Sequence, residues 1–400
     1  MSALYFFDDI RARQFEPFAL TRPGSELRAG TSLIRRRWER ATGLLSAGFI
    51  SSPHLAHFEE GNAPPAVAPN SEIPAGSVIV NTRCVIPMDL TLDRFDLLMC
   101  EGAACAVKLA RGFPVSQFAD GTIDIGSIQT TLGGQRIKGR WINDVWDFIG
   151  TLTDQLMEDI PLRAKALEGI AKTKAAKVGE HGVFVEDGAE IGPQVVLDAT
   201  AGPILIRRGT VVAPFTHLVG PISIGRDSQI RGDRIEASSI GDRCKVRGEL
   251  SHAIFLGHSN KGHAGFVGHS YLGRWVNLGA LTTTSNMKNT YGPVQLWTPS
   301  GMRSTELQFL GTMFGDHAKT GIGTMLSTGS VIGAGANVFG TMPPKVVPPF
   351  AWGDSEPYDT FDVTKFLAVA ERMMSRRNVP LGEKARKQLA EAHKKRWSVK

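Results

Sequence analysis

The stretch Phe314–Val338, FGDHAKTGIGTMLSTGSVIGAGANV, places Phe314, Thr320, Leu326, Ile332 and Val338 six residues apart. A period of six fits neither an amphipathic helix nor an array of hairpins. It fits a parallel β-helix, in which each hexad is one short strand plus a corner and three hexads close a triangular coil. Each apolar residue then stacks on one about 18 residues further along the chain. Working outward, the same period links Val185, Ile191 and Leu197, then Val212, Leu218, Ile224 and Ile230, then Leu272 and Leu278. Glycine follows the aliphatic residue at Ile191, Ile224, Ile240, Leu272, Leu278 and Ile332, where it relieves crowding at a corner. Coils of this kind are expected to wind left-handed, against the usual right-handed crossover. The register slips near 200–212, 231–239 and 247–256.

Two interruptions stand out. Residues 257–269, GHSNKGHAGFVGH, put histidine, asparagine and lysine where the other hexads carry small or aliphatic side chains. Residues 284–308 break the period altogether, with NMKNTYGP and WTPSG, and read as an excursion from the coil. Loops held on a rigid scaffold carry function disproportionately.

The chain has 400 residues, which argues for at least two domains. Upstream of the hexads, residues 1–143 read as an α/β domain. Leu4–Phe7, Ser77–Val80 and Ala103–Leu109 are expected strands, residues 31–45 an expected helix, and residues 57–74 a loop. Residues 144–182 read as a linker helix, 183–341 as the β-helix, and 342–400 as a helical tail that caps the open end of the coil. The net charge is +6, partly from a basic tail running from Lys384 to Lys400. Such a balance suits anionic small molecules. Nucleic acid is not expected, because no aromatic and arginine stripe accompanies the charge. No apolar run reaches membrane-spanning length. Acids directly follow the first apolar patch, which is wrong for a signal peptide. Four scattered cysteines without CxxC spacing suggest reduced thiols in a cytoplasmic protein.

The segments NKGHAGFVG, LGRWVNLGALTTTSN and GDHAKTGIGTMLSTGSVIGAGANVFG resemble the acetyltransferase domain of the bifunctional UDP-N-acetylglucosamine diphosphorylase/glucosamine-1-phosphate N-acetyltransferase family. The order of parts agrees with that family, an α/β nucleotidyltransferase-like domain followed by a left-handed parallel β-helix and C-terminal helices. LTRPGSELRAG (Leu20–Gly30) stands in place of the usual glycine-rich nucleotide loop. The resemblance implies acetyl-CoA-dependent N-acetylation of an amino-sugar phosphate, with nucleotidyl transfer and Mg²⁺ as a second activity. It implies His263 as general base, and an imidazole suits that role near pH 7. It implies Asn277, Asn286 and Arg234 as contacts to the sugar phosphate, with His252 where the family has a phosphate-binding lysine. Lys261 and Lys288 are further candidates for the anion, and Ala280, Ile322 and Gly340 for coenzyme A. Arg22 and Arg28 are the candidates for nucleotide phosphates. Phe266 stands where the family has a tyrosine, so a hydroxyl contact is lost. A homotrimer with sites between subunits is also implied. Two other readings remain open from the residues. One is a β-helix metalloenzyme using His252, His258, His263 and His269. The other is a non-catalytic sugar-nucleotide-binding protein.

Overall fold

The computed structural model describes residues 2–128 and 134–398, which leaves Lys400 of the basic tail outside the described residues. The chain divides into two compact units, residues 1–147 with 381–395, and residues 148–380 with 396–400.

The first unit is built on a six-stranded sheet. Its strands are β1 (Leu4–Phe7), β2 (Ser46–Ile50), β3 (Val78–Asn81), β4 (Leu97–Cys100), β5 (Ala103–Lys108) and β6 (Gln135–Arg136), in the spatial order β6-β4-β5-β3-β1-β2. Strand β1 pairs parallel with both β2 and β3, while β5 runs antiparallel to β3 and β4. The chain leaves β1, returns as β2 on one side through α1 (Ile34–Thr42), and then returns as β3 on the other. That reversal puts a crevice at the carboxyl ends of β1 and β3, the usual ligand position in an open α/β sheet. Phe7, Ile79, Val107, Val115 and Phe118 pack one core of this unit.

The second unit is a parallel β-solenoid with three faces. On face two, Ile206, Ile224, Ile240, Phe255, Leu272, Phe314, Ile332 and Val347 pair in succession. Leu197, Leu218, Ile235, Leu250 and Val267 do so on face one. Ile191, Val212, Ile230, Val246 and Lys261 do so on face three. These aliphatic columns meet in one buried core. Each fully buried side chain there contributes roughly 1.5–3 kcal/mol, offset by the entropy of ordering it. The slips in the sequence period have a simple cause. From Ile230 to Ile235 and on to Ile240, and from Val246 to Leu250 to Phe255, the corners carry fewer residues than a full hexad. Around Gly202 and Pro203 the corner is longer.

The excursion lies between Thr284 and Met313 and contains a hairpin, Gln295–Thr298 with Gly301–Ser304. It leaves the solenoid at the corner joining faces one and two. The linker region forms α2 (Leu152–Lys165), which accommodates Pro161 and ends before Leu167, short of the expected second half.

Two helices follow the coils, α3 (Val363–Ser375) and α4 (Glu383–Lys394). Neither simply closes the coil end as expected. Phe366 of α3 packs on Phe350, Phe361 and His317, and Arg377, just past α3, donates to the Arg243 carbonyl at 2.5 Å. Helix α3 therefore runs back along the solenoid. Helix α4 belongs to the first unit, where Gln388 donates to the Thr21 carbonyl at 3.2 Å.

Candidate functional site

The sequence candidates fall on two corners of the solenoid. The corner joining faces three and one carries His263, Ala280, Ile322 and Gly340, each two residues past an inward-facing side chain on successive coils. His263 is exposed. Its corner is unusually long and needs glycine. Gly265 has φ +122°, and a Cβ there would lie 2.3 Å from the Thr282 carbonyl oxygen. Gly340 is closed off, since a Cβ there would fall 1.8 Å from the Asp354 carbonyl oxygen. Ile322 is 77 % exposed, and Leu281, Met325, Phe339 and Met342 are also exposed along this corner.

Lys261 differs from expectation. It is fully buried and occupies the face-three column in line with Val246. Its ammonium donates to the carbonyls of Arg247 at 3.2 Å, His263 at 2.5 Å and Ala264 at 3.0 Å. Burial lowers its pKa to about 8, partly offset by Asp233. A cation so engaged fixes the backbone beneath His263 rather than meeting an anion.

His263 lines a cavity of about 290 Å³ on face three. Asn260 and Asn277 form part of its floor, where Asn260 Nδ2 donates to Asn277 Oδ1 at 2.7 Å, leaving the Asn277 NH₂ for a ligand. Sequence reasoning missed the other side of this cavity. Arg231 and Lys245 come from neighbouring coils, and Met373, Arg376 and Arg377 from the end of α3. The signal available was the Arg376-Arg377 pair ending a helix, but its partner face is set only by the fold.

The corner joining faces one and two gathers His252, Asn286 and Arg234. His252 and His269 hold left-handed backbone, φ 51° and 46°, which aims both rings outward on successive coils. The rings stack at 4.5 Å, and Phe309 of the excursion stacks on His269 at 5.2 Å. Asn286 Nδ2 donates to His269 Nδ1 at 3.0 Å. Ser251 Oγ links His252 Nδ1 at 2.9 Å to Glu236 at 2.9 Å, and Arg234 pairs with Glu236 at 2.5 Å. Burial lowers the pKa of His252. Burial, reinforced by His252, lowers that of His269 to about 3. Arg234 is therefore already engaged by a carboxylate. Lys288 donates to the Pro293 carbonyl of its own loop at 2.7 Å.

The histidines do not assemble a metal site. His258 stands at the corner between faces two and three, its ring tilted against Trp275 at 4.3 Å and bonded to Arg274 at 3.1 Å. The four histidines thus lie on three different corners. Among the described residues no three His, Cys, Asp or Glu side chains come together as metal ligands.

In the first unit, Arg22 and Arg28 are buried and engaged. Arg22 pairs with Glu60 at 3.0 Å and Arg28 donates to the Thr31 carbonyl at 2.7 Å. The segment folds onto the end of β1, where the Gly24 N–H and the Thr82 hydroxyl donate to the Asp8 carboxylate. Burial raises the Asp8 pKa against those hydrogen bonds. The open crevice lies beside it, a cavity of about 540 Å³ lined by Asp9, Asn81, Arg83, Asp124 and Trp141. Both Asp9 oxygens are held by Arg83, and Asn81 donates to one of them. Arg83 also lies 4.9 Å from the Trp141 ring centre. Asp124 caps the Gly126 N–H. This set does not fit a Mg²⁺ ion held by free carboxylates.

Residues 4–167 match the sugar nucleotidyl transferase family. That match covers less than half the chain. The uncharacterized acetyltransferase YaiX of Escherichia coli K12 is 27% identical over 151 residues, 37% of this chain and 66% of that protein. The bifunctional protein GlmU of Methanococcus aeolicus is 27% identical over 213 residues, 52% of this chain and 46% of that protein. The chain thus spans between about half and two thirds of the length of these relatives, which are transferases. Among solved structures, the N-acyltransferase AntD from Bacillus cereus overlays with a TM-score of 0.23 at 12% identity, over 55% of this chain and 96% of that one. That overlap is too slight to inform the site. Among the described residues no helix is long and apolar enough to cross a membrane.

Proposed function

We propose that the solenoid transfers an acetyl group from acetyl-CoA to the amine of an amino-sugar phosphate, with His263 as general base. The observation that supports this most directly is the exposed His263 ring on the wall of a polar cavity shared with Asn260 and Asn277. The acceptor reacts as its free amine, and the neutral imidazole takes the proton its nitrogen sheds as the lone pair attacks the thioester carbonyl. The C–N bond forms, the C–S bond breaks, and the proton returns to the departing thiolate. Asn277 supplies a donor that orients the acceptor or the thioester oxygen. Lys261 holds the corner so that the imidazole keeps its place. The exposed apolar strip from Leu281 through Ile322 to Met342 suits the pantetheine arm. Phe339 and Met325 widen that strip.

The first unit is assigned a sugar-nucleotide site in the crevice at the ends of β1 and β3. Its Arg83 and Trp141 suit a phosphate and a base or sugar face. Because the carboxylates there are already engaged, no metal-assisted step is assigned to it.

The two clusters of solenoid candidates lie on different corners of one chain. A homotrimer that sets the His263 corner of one copy against the His252–Asn286 corner of the next would unite them, and would cover the apolar strip. The decisive experiment measures release of CoA thiol against a panel of amino-sugar 1-phosphates. Thiol release that depends on the acceptor and is lost in His263→Ala supports the reading. Binding without turnover in the intact protein would instead favour a sugar-nucleotide-binding protein.

A further inference from the structure

The cavity beside His263 has a second wall that the acyl-transfer chemistry does not require. Four cations meet there, Arg231 and Lys245 from the solenoid and Arg376 and Arg377 from the end of α3. Among the described residues no carboxylate lines the cavity. Among the described residues none of the four makes an ion pair. Arg231 donates to Gln229 at 2.8 Å and Arg377 to the Arg243 carbonyl, both neutral acceptors. Nearby carboxylates are spent elsewhere, Asp233 on Arg247 and Asp227 on Arg243. Burial and then the charges of Arg377, Arg231 and Arg376 depress the Lys245 pKa, so the cations repel one another in the folded state. A cleft lined by charges of one sign focuses its field and concentrates counter-ions of the other. The groups are of the right kind for phosphate, since guanidinium forks bind it bidentately and an ammonium adds a point charge.

We propose that this cavity, between face three and the C-terminal end of α3, is a phosphate-binding subsite that seats a phosphorylated ligand beside His263. Arg231, Lys245, Arg376 and Arg377 bind the phosphate or diphosphate group. Helix α3 is thereby the element that completes the site, and it comes from the same chain. The anion chemistry stands on the cation cluster, whereas the ligand's role as a substrate rests on the acyl-transfer reading. Two sources carry the required group, the phosphate of the acceptor sugar and the phosphates of coenzyme A.

Titration calorimetry of the full chain with inorganic pyrophosphate tests the subsite. Binding is expected, weakening with added salt. Lys245→Met and the double variant Arg376→Gln/Arg377→Gln are each expected to weaken it about tenfold or more, and Arg376→Lys/Arg377→Lys to recover most of it. His263→Ala should bind pyrophosphate as the parent does. Far-UV circular dichroism confirms that each variant is folded, and the two variants sit on different elements, so one misfolded protein leaves the other as the test. Pyrophosphate that fails to bind the parent, or that binds both folded variants unchanged, overturns the proposal. Repeating the titrations with glucosamine 1-phosphate and with coenzyme A names the source, as the ligand whose affinity the arginine variant lowers. If pyrophosphate binding is lost in the variants while the parent transfers no acetyl group, the subsite stands and the acyl-transfer reading falls.

Discussion

Replacing His263 by alanine removes an exposed ring, so the fold should be untouched while acetyl transfer falls about 10²–10⁴-fold. A kcat loss with unchanged melting temperature is the expected result, and a variant with parental kcat would dismiss the base assignment. Lys261 makes the opposite prediction. Lys261→Met strips the shared donor from three part-buried carbonyls and should lower the melting temperature by several degrees. The pH dependence has a definite sign. The folded-state pKa is about 8 against an ordinary 10.5, so between those values the unfolded chain carries the extra proton. Parental stability, measured relative to Lys261→Met, should therefore rise from pH 8 to 10.5. Denaturant melts of both proteins at pH 7, 9 and 10.5 read this directly. At this scale the sequence spoke unevenly. The GHAG context of His263 announces a polar corner, but the charge of Lys261 disguises that it replaces an aliphatic residue in the core. Its place in the six-residue period, beside Val246 and before Val267, was the available clue.

The excursion between Thr284 and Met313 is pinned to the solenoid by the stack of Phe309 on His269 and by the Asn286 hydrogen bond, the second of which needs an unprotonated His269 Nδ1. With its folded pKa near 3 against 6.5 unfolded, His269 contributes stability above pH 6.5 that is lost as pH falls toward 3. Amide exchange in residues 285–312 should accordingly quicken between pH 7 and pH 5, after correction for intrinsic rates, more than in the coils around Ile332. Equal protection at both pH values would remove His269 as the fastening. The coils themselves were legible wherever hexads ran unbroken, as from Phe314 to Val338. They became illegible where corners lost or gained a residue, at Ile230–Ile240 and around Gly202, because a one-residue change at a corner shifts every later inward position without changing composition. Helix α3 was legible as part of the helical tail, but not its resting place, which depends on aromatic contacts with Phe350 and His317 brought together from separate coils.

Whole-molecule behaviour tests the trimeric site. His263→Ala and Asn286→Ala are each expected to be inactive alone. Unfolded together in equal amounts and refolded, randomly assembled trimers should regain about a quarter of parental activity, because one in four neighbouring pairs joins an intact His263 corner to an intact Asn286 corner. No recovery would mean that each site lies within one chain. The division of the chain leads to a different expectation. Helix α4 buries Leu389 and Ala392 within the first unit although it is encoded after the whole solenoid. A ribosome emits residues 1–147 long before residues 383–394, so the first unit must wait, with the seat for that helix uncovered, until the whole solenoid has been translated. The half that is made first is finished only after the coils of the other, and cutting the gene between the two would strip the first unit of its closing helix while leaving the solenoid's residues together.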